Sequence, residues 1–374
     1  MSRRSAERPS EPMKVRQRDV EFSSWPMTRT NRRFGLQSRV FASDPFNVMG
    51  MAINRDCPAT TKPVALAYLE QAQDFHSASQ VGTVRAARPL LLYYSFMNIA
   101  KALILTRSVV PAFGDTHHGL TTKFPAVGAG PIGVQVEAFP STGAKANLFS
   151  LLVQALVGAG LTAKKIYKLE EVLPQILLGH RLWCEATDSN ERFLEIENIA
   201  LKDDRNTKKC WCIFDIRRAD YARLSYSQTD VLKGGPLDAD WSNVRPSHPA
   251  PDIVRFEMKT PEIYTHRPSD VVNGLVSRIR HQFWKSVTII KPFRKYYVYV
   301  PAPNEPILPQ LASIYLAMFY LGSITRYRPN HFDEIVAGPY GAFIQEFIEN
   351  QPNQWLYLVA SEFAQQEIAR AAVV

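Results

Sequence analysis

The chain of 374 residues carries 44 Lys and Arg against 35 Asp and Glu, a formal net charge of +9, with 46% of residues apolar and 21% charged. Such usage supports a large core in two or three packed subdomains and excludes a largely disordered chain. Residues 1–40 alone hold ten basic and four acidic side chains, +6 of that charge.

This first segment contains Arg3, Arg4, Arg8, Lys14, Arg16, Arg18, Arg29, Arg32, Arg33 and Arg39. It joins charge to Ser and Pro with little apolar periodicity, so a flexible tail is expected, able to meet nucleic-acid phosphates without reading sequence. It lacks the apolar stretch and cleavage site of a secretory signal. The four cysteines, Cys57, Cys184, Cys210 and Cys212, form no dense disulfide framework. Both features point to a reducing cytoplasm.

Residues 41–106 read as a helical part. Ala65, Leu66, Leu69, Ala72, Gln73 and His76 recur at helical spacing, with Thr60 or Thr61 placed to cap and Pro63 in the first turn. A second, almost continuously apolar helix covers 88–105 and carries Arg88, Ser95, Asn98 and Lys101. Apolar all round implies burial, and a buried cation is costly unless it is paired. From 107 to 260 the sequence turns irregular and rich in Gly and Pro, with strand patterns at 132–139, 193–201, 210–216 and 253–259 and short helices at 146–157 and 169–178. From 261 to 374 helices return over 270–285, 308–325, 331–349 and 354–372, with one strand at 296–300. The fold expected is α+β, mainly helical, with N- and C-terminal helices packed together and a β-containing middle region. The apolar runs 89–105 and 311–325 fall short of the about 20 residues of a bilayer span, so no membrane partner is expected.

Several motifs bear on chemistry. Gly128, Gly130 and Gly133 spell G-x-G-x-x-G, but Pro131 and the alternating Val134, Val136, Ala138 that follow do not make the strand-to-helix turn a dinucleotide needs. No cofactor is implied. Cys210 and Cys212 flank Trp211 on one strand and read as buried thiols, since a metal would need Cys184, His180 or His248 at no recognisable spacing. His117 and His118 are adjacent and diverge on most backbones, which disfavours joint ligation. Arg326 and His331 stand at R-x4-H spacing between two apolar helices. That spacing resembles the motif of HEPN ribonucleases, in which the Arg stabilises phosphate and the His is a general acid or base without metal. On the purely structural reading, Arg326 answers the dipole of one helix, Pro329 stops it and Asn330 caps the next. Tyr94, Asn98 and Lys101 share one helix face, and Glu362 interrupts the last apolar helix. A pair between Lys101 or Arg326 and Glu362 would answer the buried charge, or a polar pocket formed with Arg88 and Arg328 would receive an anionic ligand.

The blocks R-P-L-L-L-Y-Y-S-F-M-N-I-A-K-A-L-I-L at 88–105, H-G-L at 118–120, L-P-Q-L-A-S-I-Y-L-A-M-F-Y-L-G-S-I-T-R-Y-R-P at 308–329 and Q-P-N-Q-W-L-Y-L-V-A-S-E-F at 351–363 together resemble the YaaC-like family of bacterial proteins over roughly 45–365. The resemblance implies a bacterial cytoplasmic protein and supplies no catalytic residues. The function expected is a binding or accessory component, in association with nucleic acid or a protein partner or in stress or phage defence. The alternatives are an RNase using Arg326 and His331 and an interaction scaffold without a catalytic site.

Overall fold

The computed structural model describes residues 5–15, 17–25, 40–82, 85–110, 113, 116–124, 131–142, 145–247, 252–290 and 295–370. The fold is α+β, 46% helix and 22% strand. Its contacts divide the chain into a helical unit, 42–189 with 308–364, and a sheet unit, 1–41 with 190–307 and 365–374. The sequence division at 106 and 260 follows composition; the contacts instead split the middle region near residue 190.

The helical unit is built from α1 (Pro45–Asp56), α2 (Lys62–Ser79), α3 (Arg88–Thr106), α4 (Leu148–Val157), α5 (His180–Thr187), α6 (Gln310–Tyr327), α7 (Pro329–Ala337) and α8 (Gly341–Ala364). Proline in the first turn of α1, α2 and α3 fixes a helical φ where no amide partner is lost, and Asp44 accepts the Phe46 N–H at 2.8 Å. Helices α2 and α3 pair antiparallel in three rungs. Phe75 stacks on Tyr94 with centroids 5.4 Å apart, Asn98 Nδ2 donates to Gln71 Oε1 at 2.7 Å, and Lys101 Nζ lies 5.0 Å from the centre of the Tyr68 ring. The face shared by Tyr94, Asn98 and Lys101 is therefore the one α3 turns to α2.

The helices from the two ends of the unit meet on α3. A Cβ at Gly322 of α6 would stand 3.0 Å from Tyr93 Cβ, so the absence of a side chain there permits the approach. Trp355 of α8 stacks on Phe96 with centroids 4.0 Å apart and donates its indole N–H to the Leu311 carbonyl at 3.1 Å. Helix α4, the expected short helix of the middle region, packs Phe149 on Tyr315 of the same core. Among the described residues, α3 alone is long and apolar enough to cross a bilayer, and 72% of that stretch is buried in the fold.

The last helices differ from the pattern expected. The break falls at Gly338-Pro339 instead of near 350, and α8 runs unbroken through Pro352. A proline removes one backbone bond, yet here its neighbours Phe347, Gln351 and Trp355 are buried, and Gln351 Nε2 donates to the Leu178 carbonyl at 3.0 Å. Tertiary packing overrides the local helix breaker.

The main sheet of the sheet unit has eight strands among the described residues: β1 (Glu11–Pro12), β2 (Phe193–Asp204), β3 (Lys209–Arg217), β4 (Trp241–Val244), β5 (Ile253–Met258), β6 (Glu262–Ile263), β7 (Val287–Ile290) and β8 (Lys295–Tyr299). They run in the order β4-β5-β3-β2-β8-β7, with β1 on β2 and β6 on β3. The register pairs Phe214 with Phe256, and Asp215 with Arg255. One face is thus apolar, meeting Leu275, Ile279 and Phe283 of the helix Val272–Ser286 in a common core. The other face is charged. Arg255 makes a two-pronged pair with Asp215 at 2.7 and 2.8 Å, and its remaining nitrogen reaches Glu7 at 2.6 Å. Arg8 lies over Trp211 and donates to the carbonyl of Met258.

The N-terminal segment, expected as a solvated tail, is therefore part of the sheet unit over its described stretch. Met13, Val20, Phe22 and Trp25 are all buried, and the Met13 amide donates to Leu201 at 2.9 Å. These apolar residues are too irregularly spaced to show a period. They bury because the sheet supplies the partner strand, which the sequence pattern of the segment alone does not reveal. Residues 26–39, with four of the arginines, lie outside the described residues.

Met13→Ala is expected to cost about 2–5 kcal/mol of unfolding free energy in urea denaturation, as for a buried methionine. A loss near zero would restore the tail.

Candidate functional site

Gly322 sets the geometry that matters most. By letting α6 close on α3 at Tyr93, it brings Arg326, one turn further along, to Tyr94, where Arg326 Nη1 donates to the phenol oxygen at 3.2 Å. Gly119, at φ +70°, does the equivalent for the loop: a Cβ there would meet Asn147 Cβ at 2.8 Å. The turn presents His118, whose carbonyl accepts the Phe149 N–H at 3.2 Å. His118 Nδ1 and the Tyr93 hydroxyl share a hydrogen bond of 2.6 Å. Nε2 makes none among the described residues.

Arg326 at Tyr94 and Lys101 two turns further along α3 thus both act electrostatically on His118 at Tyr93. Partial burial of the ring, then the Lys101 ammonium and the Arg326 guanidinium, hold the His118 pKa below the ordinary imidazole value, and His117 adds to this. Burial lowers the Lys101 pKa, and burial raises that of Tyr93 well above an ordinary phenol, so Tyr93 keeps its proton. Among the described residues, neither Lys101 nor Arg326 has a carboxylate within ion-pair distance. Lys101 rests on the Tyr68 ring, and Arg326 bonds the Tyr94 hydroxyl and lies over the Tyr327 ring. Cations gathered without a counter-ion raise the local positive potential and favour an anion. The fully buried Tyr315 stands edge-on to Tyr93, with ring centroids 5.9 Å apart.

A family model described as YaaC-like protein matches residues 53–363. The chain belongs to the YaaC-like family. No curated protein and no solved structure matches it. The match spans α2, α3, α6, α7 and nearly all of α8, together with strands β2 to β8 of the second unit. Every member of the Lys101, His118 and Arg326 cluster in this YaaC-like chain lies inside it.

The other residues singled out from the sequence go elsewhere. His331 packs edge-on against Phe124 and sits 3.7 Å from Glu334, while Arg328 lies over Phe124 at 4.2 Å. Arg326 and His331 thus take different contacts. Asn330 does not cap: α7 starts at Pro329, with Arg328 at the boundary. Arg88 pairs with Glu349 at 2.5 Å. Asn98 is satisfied by Gln71. Glu362, expected to meet Lys101 or Arg326, is fully buried beside Arg107, 3.4 Å from its Nη2. Arg107 ends α3 one turn beyond the face considered, so a helical-wheel reading pointed to the wrong cation. Cys210 and Cys212 lie buried on one face of β3, and burial pushes the Cys210 thiol up to about 12. His180 and Cys184, one turn apart on α5, approach to 3.4 Å. Gly128, Gly130 and His248 lie outside the described residues. His118 and Tyr93 were missed because a loop histidine gains its neighbours only in three dimensions. The H-G-L signal was there, since only glycine fits the turn that follows.

Arg107→Met removes the cation beside the fully buried Glu362 and should lower stability by about 3 kcal/mol, whereas Lys101→Met, which breaks no ion pair among the described residues, should cost less than about 1 kcal/mol in the same urea titration. Equal losses would refute the assignment of partners. In an NMR pH titration, His118 should titrate below the unfolded value of about 6.5, and Lys101→Met or Arg326→Met should move its midpoint up. Because the depressed value belongs to the folded state, acidification through about pH 6.5 withdraws stability instead of adding it.

Proposed function

We propose that this protein is a binding component whose ligand is an anion carried by Lys101, Arg326 and the free Nε2 of His118. The observation that supports it is a half-buried Lys101 and an exposed Arg326 that both act on the His118 imidazole, with no carboxylate answering either cation among the described residues. A guanidinium and an ammonium together favour phosphate-type oxygens, to which Arg presents a fork and Lys a point charge. The neighbours hold His118 neutral near pH 7, so an anion that brings its own charge gains most when it binds there.

Catalysis by Arg326 and His331 draws less support, because Arg326 turns to Tyr94 whereas His331 contacts Phe124 and Glu334. The acidic partner beside His331 and the separate contacts of the two side chains favour the helix-junction role. The described basic residues of the N-terminal segment are also partly committed, Arg8 to the sheet and Lys14 to Asp19 at 3.9 Å.

Calorimetric titration with inorganic phosphate and pyrophosphate tests the reading. Binding should weaken with salt and fall at least about tenfold in Lys101→Met and Arg326→Met. It should stay unchanged in His331→Ala. No binding, or equal binding by all variants, would overturn the proposal. Single-stranded RNA incubated without metal should remain intact. Cleavage abolished by His331→Ala would establish the nuclease instead.

A further inference from the structure

The cationic cluster does not stand alone. Lys101 lies on the Tyr68 ring, and Arg326 bonds the hydroxyl of Tyr94, whose ring is stacked on Phe75 at an interplanar angle of 27°. Tyr68, Phe75 and Tyr94 are neither buried nor fully exposed. They form the outer edge of the α2–α3 seam, while its middle rung, Asn98 with Gln71, is closed by a hydrogen bond. Burial of a seam needs aliphatic side chains as readily as aromatic ones. Half-open rings beside cations give in addition a flat apolar surface next to a place for negative charge. An inorganic anion uses the second and leaves the first idle. A ligand that carries both a phosphate and an aromatic base uses both, since base stacking on aromatic side chains is favourable for any base.

Resting on the anion-binding reading above, we propose that the ligand is a nucleoside phosphate: phosphate oxygens on Arg326, Lys101 and His118 Nε2, and the base against the Phe75–Tyr94 edge. Arg326 joins the two halves, because the guanidinium that would hold the phosphate is hydrogen-bonded to the tyrosine that would carry the base. The shared chemistry belongs equally to a free mononucleotide and to the end of a single strand. Neither requires contact with a base edge, so little discrimination between bases is expected.

The test uses the full chain and four probes in calorimetry: inorganic phosphate, ribose 5-phosphate, AMP and UMP, with an eight-nucleotide single strand as a fifth. Both nucleotides should bind about tenfold or more tightly than ribose 5-phosphate. Phe75→Ala, which removes the ring stacked on Tyr94 and leaves Arg326 with its Tyr94 partner, should remove most of that increment and leave phosphate binding near the wild-type value. Tyr94→Phe, which keeps the ring and the fold, should retain the increment. Tighter binding of the single strand with a steeper salt dependence would assign the nucleoside phosphate to a polymer, and equal binding would assign it to a free nucleotide. Ribose 5-phosphate binding as tightly as AMP, or an undiminished increment in Phe75→Ala, would overturn this inference while leaving the anion site standing. If inorganic phosphate, pyrophosphate and all five probes fail to bind, the anion-binding reading fails with it.

Discussion

The approach of α6 to α3 at Gly322 is the contact on which the rest of the helical unit depends. With only a hydrogen facing Tyr93, the two apolar helices come close enough for Tyr315 and Phe319 to close around the same tyrosine. Interiors are packed to crystal density, so a single extra carbon at such a crossing must displace something. What it would displace is Tyr93, and with it the hydrogen bond that orients His118. One small residue in an apolar helix thus couples core packing to the placement of a polar group in a distant loop. The same crossing sets the axial position of Arg326 relative to Tyr94.

The two units handle charge in opposite ways. In the sheet unit, Arg255 meets Asp215 through two hydrogen bonds and Glu7 through a third, and burial of Arg255 is balanced by fixed partners that raise its pKa further. Such a closed network sets register and holds the first strand, but it leaves little capacity for anything else. In the helical unit, Glu362 has Arg107 and Arg88 has Glu349, while Lys101 and Arg326 meet aromatic rings and a phenol and no carboxylate among the described residues. A cation against a ring is stabilised by the quadrupole without being neutralised. The difference between a closed and an open account of charge is what separates the candidate site from the structural pairs around it.

Membership of the YaaC-like family covers both units and so bears on the fold as a whole. Function has to be argued from the site, because one fold hosts many chemistries. Here the physical content is limited to two groups of one sign, an oriented imidazole and an aromatic edge. Binding of an anion follows from that content more directly than bond cleavage does, since among the described residues no carboxylate or second imidazole is hydrogen-bonded to His118.

The sequence by itself determined the elements with strong local signals: the apolar helices 88–105 and 308–325, the helix from Lys62, and the central strands near 193–201, 210–216 and 253–259 lie within a few residues of the observed spans. Period and proline placement are local properties, and the chain carries them wherever it goes. It also marked Tyr94, Lys101 and Arg326 as polar groups in apolar surroundings. Only the tertiary structure decided their partners. Glu362 was paired with the wrong cation because a helical wheel ranks faces and not distances; Arg107, beyond the apolar run, is the residue that reaches it. The N-terminal segment looked solvated because its burial is supplied by β2, some 180 residues further on. His118 acquired its role from Tyr93 and from the turn at Gly119, and neither contact leaves a period in the sequence. Local structure is written in spacing, whereas a site is made where separate segments meet, and that meeting is fixed by packing over the whole core.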